Sequence, residues 1–277
     1  VRFIVSPAKK MNVVDDAFAW RDLPTFLDRT DLLLDTLRAL SYSEAKALWR
    51  CSDALAELNF ERVRTMDLRA GALTPAVLAY EGIQYQHLAP QVMDEAQLAY
   101  VQEHLRILSG FYGVLRPFDG VVPYRLEMQA KLPVGGACDL YAFWGDRLYR
   151  SLAAETDVIV NLASVEYAKA VVPHAQASKA AGTAAVSAAP TRVGDGEGRP
   201  SSGLSPRVVT CLFGTVDERG RLVQRSTAAK AARGSMVRWC AENDVRRIDD
   251  LRAFDVFGYA FDEARSANDC LVFVQGR

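Results

Sequence analysis

Residues 105–128 read LRILSGFYGVLRPFDGVVPYRLEM and set Arg106, Arg116 and Arg125 among Phe111, Tyr112 and Tyr124. Gly110, Gly113, Gly120, Pro117 and Pro123 interrupt the run. Glycine lets a backbone approach another surface closely, and proline fixes the local path. Arginine beside tyrosine suits recognition of phosphate, carboxylate or a nucleobase. The stretch therefore reads as a recognition segment lying outside the core. A structural turn whose arginines hydrogen-bond carbonyls is the alternative.

Upstream, Asp94 is a good N-cap for a helix striped by Leu98, Val101, Leu105 and Leu108. That helix is expected to end at Ser109-Gly110 in a left-handed C-terminus, with Arg106 off the apolar stripe. Downstream, Asp139 caps a helix expected over 140–154, with Tyr141, Trp144, Leu148 and Leu152 on one face. Trp144 beside Gly145-Asp146 reads either as core or as the wall of a cleft. Val158–Val160 is a short buried strand, and Asn161-Leu162-Ala163-Ser164 leads from it into a helix from Val165 to about Val171. A strand passing through a polar loop into a helix offers free N–H groups to an anion. Glu166 and Lys169 stand on the first turn there.

Further out, Arg2–Val5 is a strand, and Ser6-Pro7-Ala8-Lys9-Lys10 ends it in a loop where a lysine can meet an anion. Leucines at 27, 33, 34, 37 and 40 make an amphipathic helix of 23–40. Ser43–Val63 reads as two helices joined at Cys51-Ser52-Asp53, with Ser43 as N-cap. Val208–Val216 and Leu222–Arg225 form a hairpin around Asp217-Glu218-Arg219-Gly220. A helix then runs from Ser226 or Thr227 to Cys240. From 219 to 241 there are six bases and no acid. Lys230 and Arg233 share a helical face, and Gly234 permits close approach of a partner. Cys270–Val274 closes the chain as a strand. Residues 175–205, rich in Ala, Ser, Gly and Pro, cannot offset ordering entropy by burial and are expected to form a flexible insertion loop.

The 277 residues carry 33 bases and 34 acids, so no global field recruits a polyanion and any nucleic-acid surface must be local. Five scattered cysteines form no CxxC pair, and only three histidines occur. Disulfide frameworks, zinc knuckles and His-rich iron sites are poorly served by that set. No Glu-x-x-His pair suits iron storage. There is no Walker loop, GxGxxG, GxSxG or HExxH. No cofactor and no metal are expected. With no long apolar run and no signal-peptide pattern, the expectation is a cytoplasmic protein without a membrane partner.

The motif LRxLSGxYGxLRPxDxxxPYRLEM resembles the signature of the YaaA family of bacterial peroxide stress proteins. Similar matches occur at Ser6–Lys9, Leu140–Asp146, Asn161–Tyr167, Lys230–Gly234 and Gly258–Glu263, in the family's order. They cover everything except roughly 175–205. The resemblance implies a single α+β domain over 1–277, with a mixed β-sheet, surrounding helices and a basic cleft. It also implies a helix–hairpin–helix-like element at 43–63, where a plainly packed helix pair is the other reading. By resemblance the protein limits iron-dependent peroxide damage and binds duplex and structured DNA, including bubbles or junctions.

In that reading Lys9, Arg106, Arg116, Arg125, Lys230 and Arg233 contact phosphates, and Tyr112, Tyr124 or Trp144 stack on an unpaired base. The alternative is an enzyme acting on a phosphorylated or nucleotide-like small molecule or a flipped base. There the same cations hold the anion, and Glu166, Lys169, Asp146 or Tyr259 supply acid–base chemistry.

Overall fold

The computed structural model describes residues 1–14, 18–186 and 205–276. An eight-stranded sheet organises them. Its strands are β1 (Arg2–Val5), β2 (Leu105–Ser109), β3 (Gly113–Leu115), β4 (Val158–Asn161), β5 (Arg207–Val216), β6 (Leu222–Val223), β7 (Tyr259–Phe261) and β8 (Cys270–Gln275). The order β8-β5-β4-β1-β2 runs through the centre, all parallel. Antiparallel strands close both sides: β7 lies on β8, β3 on β2, and β6 on β5. Parallel strands covered on both faces carry near-continuous apolar runs. Phe3, Ile4 and Val5 of β1 and Leu105, Ile107 and Leu108 of β2 are accordingly buried.

Ten helices matter here: α1 (Leu27–Ala39), α2 (Tyr42–Trp49), α3 (Asp53–Thr65), α4 (Ile83–Leu88), α5 (Glu95–His104), α6 (Leu140–Trp144), α7 (Arg147–Ala153), α8 (Val165–Ala168), α9 (Val172–Val186) and α10 (Ser226–Glu242). The Asp94 cap is present, with a capping box to Gln97. The helix it starts, however, ends at His104, and Leu105–Ser109 is strand rather than helix. The leucine stripe continues across the junction because β2 is buried along its whole length. One sequence pattern therefore serves two periods.

Three other expectations are corrected. The N-cap of α2 is Ser41, whose Oγ accepts from the Glu44 N–H while the Glu44 carboxylate accepts from the Ser41 N–H. The helix expected over 140–154 is two, α6 and α7, broken at Gly145 with φ +52°. The first part of the stretch expected as a loop from Ala175 is the body of α9. The rest of that expectation, 187–204, lies outside the described residues.

Numbered by appearance, the five parallel strands lie in the order 2-1-3-4-5. The chain begins in the middle, steps to one side for β2, then returns to fill the other. At the β1–β4 boundary the direction of winding reverses. The loops leaving these two strands must diverge there, which opens a crevice beyond their carboxyl ends.

Candidate anion-binding cavity

Ser6 holds that crevice together. It follows β1 directly, and its Oγ donates to Ser164 Oγ at 3.1 Å and accepts the Ser164 N–H at 2.8 Å, tying the two diverging loops. The Ser6 carbonyl accepts Gln84 Nε2 at 3.1 Å and the Tyr85 hydroxyl at 2.9 Å, which fixes α4 over the same point. Helix α10 then lies on α4. A Cβ at Gly234 would stand 1.9 Å from the Gln84 carbonyl oxygen, so only glycine permits this packing. Gly234 thus admits a close neighbour, as its sequence suggests, but the neighbour is α4 of the same chain.

The space beside these contacts is an open-mouthed cavity of about 610 Å³. Lys9, Lys10, Arg125, Lys230 and Arg233 line it, together with Glu81, Glu127 and Glu166. Some of these charges are already paired. Lys9 Nζ is 2.9 Å from Glu127 Oε1, and Arg125 approaches the same oxygen at 3.8 Å. Lys10 Nζ lies 2.8 Å from Glu81 Oε2. Others are not. Nε of Arg125 and Nε of Arg233 are buried and have no hydrogen-bond partner. No ion pair joins Lys230 or Arg233 to a described carboxylate. Burial pulls the Arg233 pKa down. A desolvated donor left unmet costs about 1–3 kcal/mol or more if charged, so both guanidiniums are poised to gain from an anion.

Glu166 is half-buried, and its Oε1 accepts the Gln129 N–H at 3.2 Å. Burial raises its pKa; that N–H opposes the rise, and Glu127 nearby adds to it. A second cavity of about 860 Å³ adjoins the first and shares Arg125, Glu127 and Glu166 with it. Trp49 and Arg50, at the end of α2, line it along with Lys131 and Lys169. Arg50 takes a left-handed conformation (φ +47°) that stops α2 before Cys51-Ser52 leads into α3, and Lys46 and Asp53 pair across this connection.

Four of the six cations expected to bind anions thus meet at the first cavity: Lys9, Arg125, Lys230 and Arg233. Arg106 does not. It is buried on β2, where its guanidinium pairs with Glu155 and donates to the carbonyls of Gln102, Glu103 and Leu105. Arg116 is exposed and lines neither cavity.

The stacking residues are corrected more broadly. Tyr112 and Trp144 are wholly buried. Trp144 Nε1 donates to the Gly110 carbonyl at 3.0 Å, and the Tyr112 hydroxyl accepts the Val122 N–H at 3.2 Å. Tyr124 reaches the cavity wall, but Phe111 already stacks on its ring with centroids 4.9 Å apart. Its hydroxyl is bonded to Tyr80 at 2.8 Å and to Ser109 at 2.6 Å. The segment expected outside the core is therefore largely inside it, because each aromatic polar atom finds an internal partner. Among the acid–base candidates, Glu166 lines both cavities and Lys169 only the second. Asp146 is half-buried, lines neither cavity and is paired with Arg150 at 2.6 Å, and Tyr259 is packed against Phe213 in the core.

The family model described as peroxide stress protein YaaA matches residues 1–188 and 198–265. The chain belongs to the YaaA family. Among its relatives is a UPF0246 protein of Pediococcus pentosaceus, 45% identical over 275 residues, covering 99% of this chain and 98% of the relative. UPF0246 proteins of Lachnoclostridium phytofermentans and Lactiplantibacillus plantarum are each 44% identical, over 277 and 276 residues. In the first the alignment covers 100% of this chain and 97% of the relative, and in the second 99% of each. The family match enters the stretch 175–205 that the motif matches left uncovered and leaves out only 189–197 within it.

For this YaaA-family chain, sequence reasoning passed over Lys10, Glu81, Glu127 and Ser226 as cavity residues. Glu127 had a signal: it stands two residues beyond Arg125 inside the opening motif. Ser226 had another, as the first residue of the helix that falls in the all-basic stretch 219–241. No helix among the described residues is long and apolar enough to cross a membrane.

Proposed function

We propose that this YaaA-family chain acts in the cytoplasm as a protection protein against hydrogen peroxide, binding DNA at the cavity and so limiting iron-dependent damage. The observation that carries this reading is the pair of buried, unpartnered guanidinium nitrogens of Arg125 and Arg233 in one cavity. Phosphate matches an arginine fork in charge and geometry. Lys9 and Lys230 add positive charge beside them, making the basic cleft of this reading. The α2–α3 pair, with Arg50 in its short connection, supports a helix–hairpin–helix-like contact to backbone phosphates flanking the adjoining cavity.

The test is a salt titration of binding to fluorescent duplex, bubble and single-stranded DNA. Lys230→Ala and Arg233→Gln are each expected to weaken binding to all sequences and to lower the salt slope by about 0.9 per lost phosphate contact. Unchanged slopes in both variants would remove α10 from the DNA surface.

A second reading, an enzyme acting on a phosphorylated or nucleotide-like molecule, is favoured by one feature. Glu166 shares the cavity with the cations and has its pKa raised by burial, the disposition of a general acid.

A further inference from the structure

The cavity beneath α4 has two chemically different ends. One is built by α10: Ser226, Lys230 and Arg233 line this cavity but not the adjoining one. No side chain caps the first-turn N–H groups of α10, so the helix adds partial positive charge at that end. The other end is the strip shared with the second cavity, Arg125, Glu127 and Glu166. There Glu127 pairs with Lys9 and stands 3.8 Å from Arg125, and Glu166 faces the space with one oxygen held by the Gln129 N–H. Pro7, Ala8 and Ile83 contribute apolar wall.

Such a site discriminates. Inorganic phosphate satisfies the α10 end and leaves the carboxylates unused. A di- or triphosphate carries negative charge toward Glu127 and Glu166, where like charges repel. A nucleoside without phosphate leaves the Arg233 guanidinium desolvated and unmet. The volume of about 610 Å³ falls within the range of small-molecule sites.

The geometry points to a mononucleotide unit as the occupant. Its single phosphate lies on Arg233, Lys230 and the α10 N-terminus, and the N–H edge of its base lies on Glu166 and Glu127. This rests on the anion-binding reading of the cavity given above, and adds the size and polarity of the ligand. The same chemistry is presented by a free nucleoside 5′-monophosphate and by a nucleotide at a DNA end or bubble.

The experiment is calorimetric titration of the full chain with the four 2′-deoxynucleoside 5′-monophosphates, their nucleosides, their triphosphates and inorganic phosphate. At least one monophosphate is expected to bind about 10-fold tighter than its nucleoside, its triphosphate or phosphate alone, about 1.4 kcal/mol. Lys230→Ala removes an exposed side chain and leaves the fold intact, while Arg233→Lys keeps the charge and loses the fork. Each is expected to weaken the monophosphate and leave the nucleoside unchanged. Glu166→Gln is expected to reorder the preference among bases.

Equal binding of phosphate or triphosphate overturns the inference, as does an unchanged base order in Glu166→Gln. If bubble DNA binds with a slope that Lys230→Ala lowers while no monophosphate binds, the mononucleotide site is wrong and the DNA reading stands. If neither binds, both fall. Where a monophosphate binds, displacement of labelled bubble DNA assigns the site to a nucleotide of DNA, and binding without displacement assigns it to the free nucleotide.

Discussion

Arg106 and Arg125 come from one short stretch of sequence and end in opposite circumstances. Arg106 is enclosed by Glu155 and three carbonyl oxygens. Arg125 is nearly as buried, yet its Nε meets nothing and its one carboxylate neighbour stands 3.8 Å away, already held by Lys9. The first arginine is structural and the second is unfinished. Richness in arginine and tyrosine does not separate the two cases; the tally of internal partners does.

The contrast breaks most visibly through stability. Arg106→Ala is expected to lower unfolding free energy by about 3 kcal/mol, because Glu155 keeps Arg2 while three carbonyls lose their donor. Urea unfolding checks this. A loss under about 1 kcal/mol would mean that Arg106 is not the structural member of the comparison.

A buried carboxyl extends the comparison to the opposite sign. Asp119 accepts the Arg116 N–H at 2.8 Å, and burial lifts its pKa to about 7. Its unfolded value is near 3.9. Between about pH 4 and 7 the unfolded state is ionised while the folded state keeps its proton. Stability is therefore fully present below pH 4 and falls as pH rises toward 7, by about 1.4 kcal/mol per pH unit at the steepest. Asp119→Asn should flatten that part of a pH series of urea midpoints. A slope equal to that of the parent would place the titration elsewhere.

Gly234→Ala sharpens the link between packing and cavity. With its Cβ 1.9 Å from the Gln84 oxygen, α4 must shift away from α10. A cost of about 1–3 kcal/mol is expected, with weaker DNA binding because Gln84 and Tyr85 hold Ser6 in place. Thermal unfolding beside a binding titration reads both effects, and a destabilised variant with parental binding would uncouple them. The smallest change is expected for Arg233→Gln, whose melting temperature should match or exceed the parent's, since a desolvated cation without a partner contributes no native stability. A clear drop would show that Arg233 belongs with Arg106.

Much of the scaffold was legible. Arg2–Val5, Val158–Val160, the 208–225 hairpin and the basic helix stand close to where their patterns put them. The boundary at His104 was not, because an apolar stripe at helical spacing and a fully buried strand look alike over a few residues. Ser41-x-x-Glu44 is a capping-box pattern that was there to be read; Ser43, two residues on, drew the assignment instead. Four cavity cations were found from the motifs that carry them. Trp144 and Tyr112 were not separable from surface aromatics, since what buries them is a Gly110 carbonyl and a Val122 N–H that only the fold supplies. Partners distant in sequence leave no local trace.

The cavity joins Ser6 at one end of the described chain to Arg233 near the other, by way of Arg125 and Ser164. During synthesis the first wall exists long before the last. At about 5–20 residues per second, some ten seconds or more separate Ser6 from α10. A nascent chain can hold β1, β2 and β4 and still lack the helix that brings Lys230 and Arg233. On the proposed reading, ligand capture therefore waits for α10, and copies halted before Ser226 lack it.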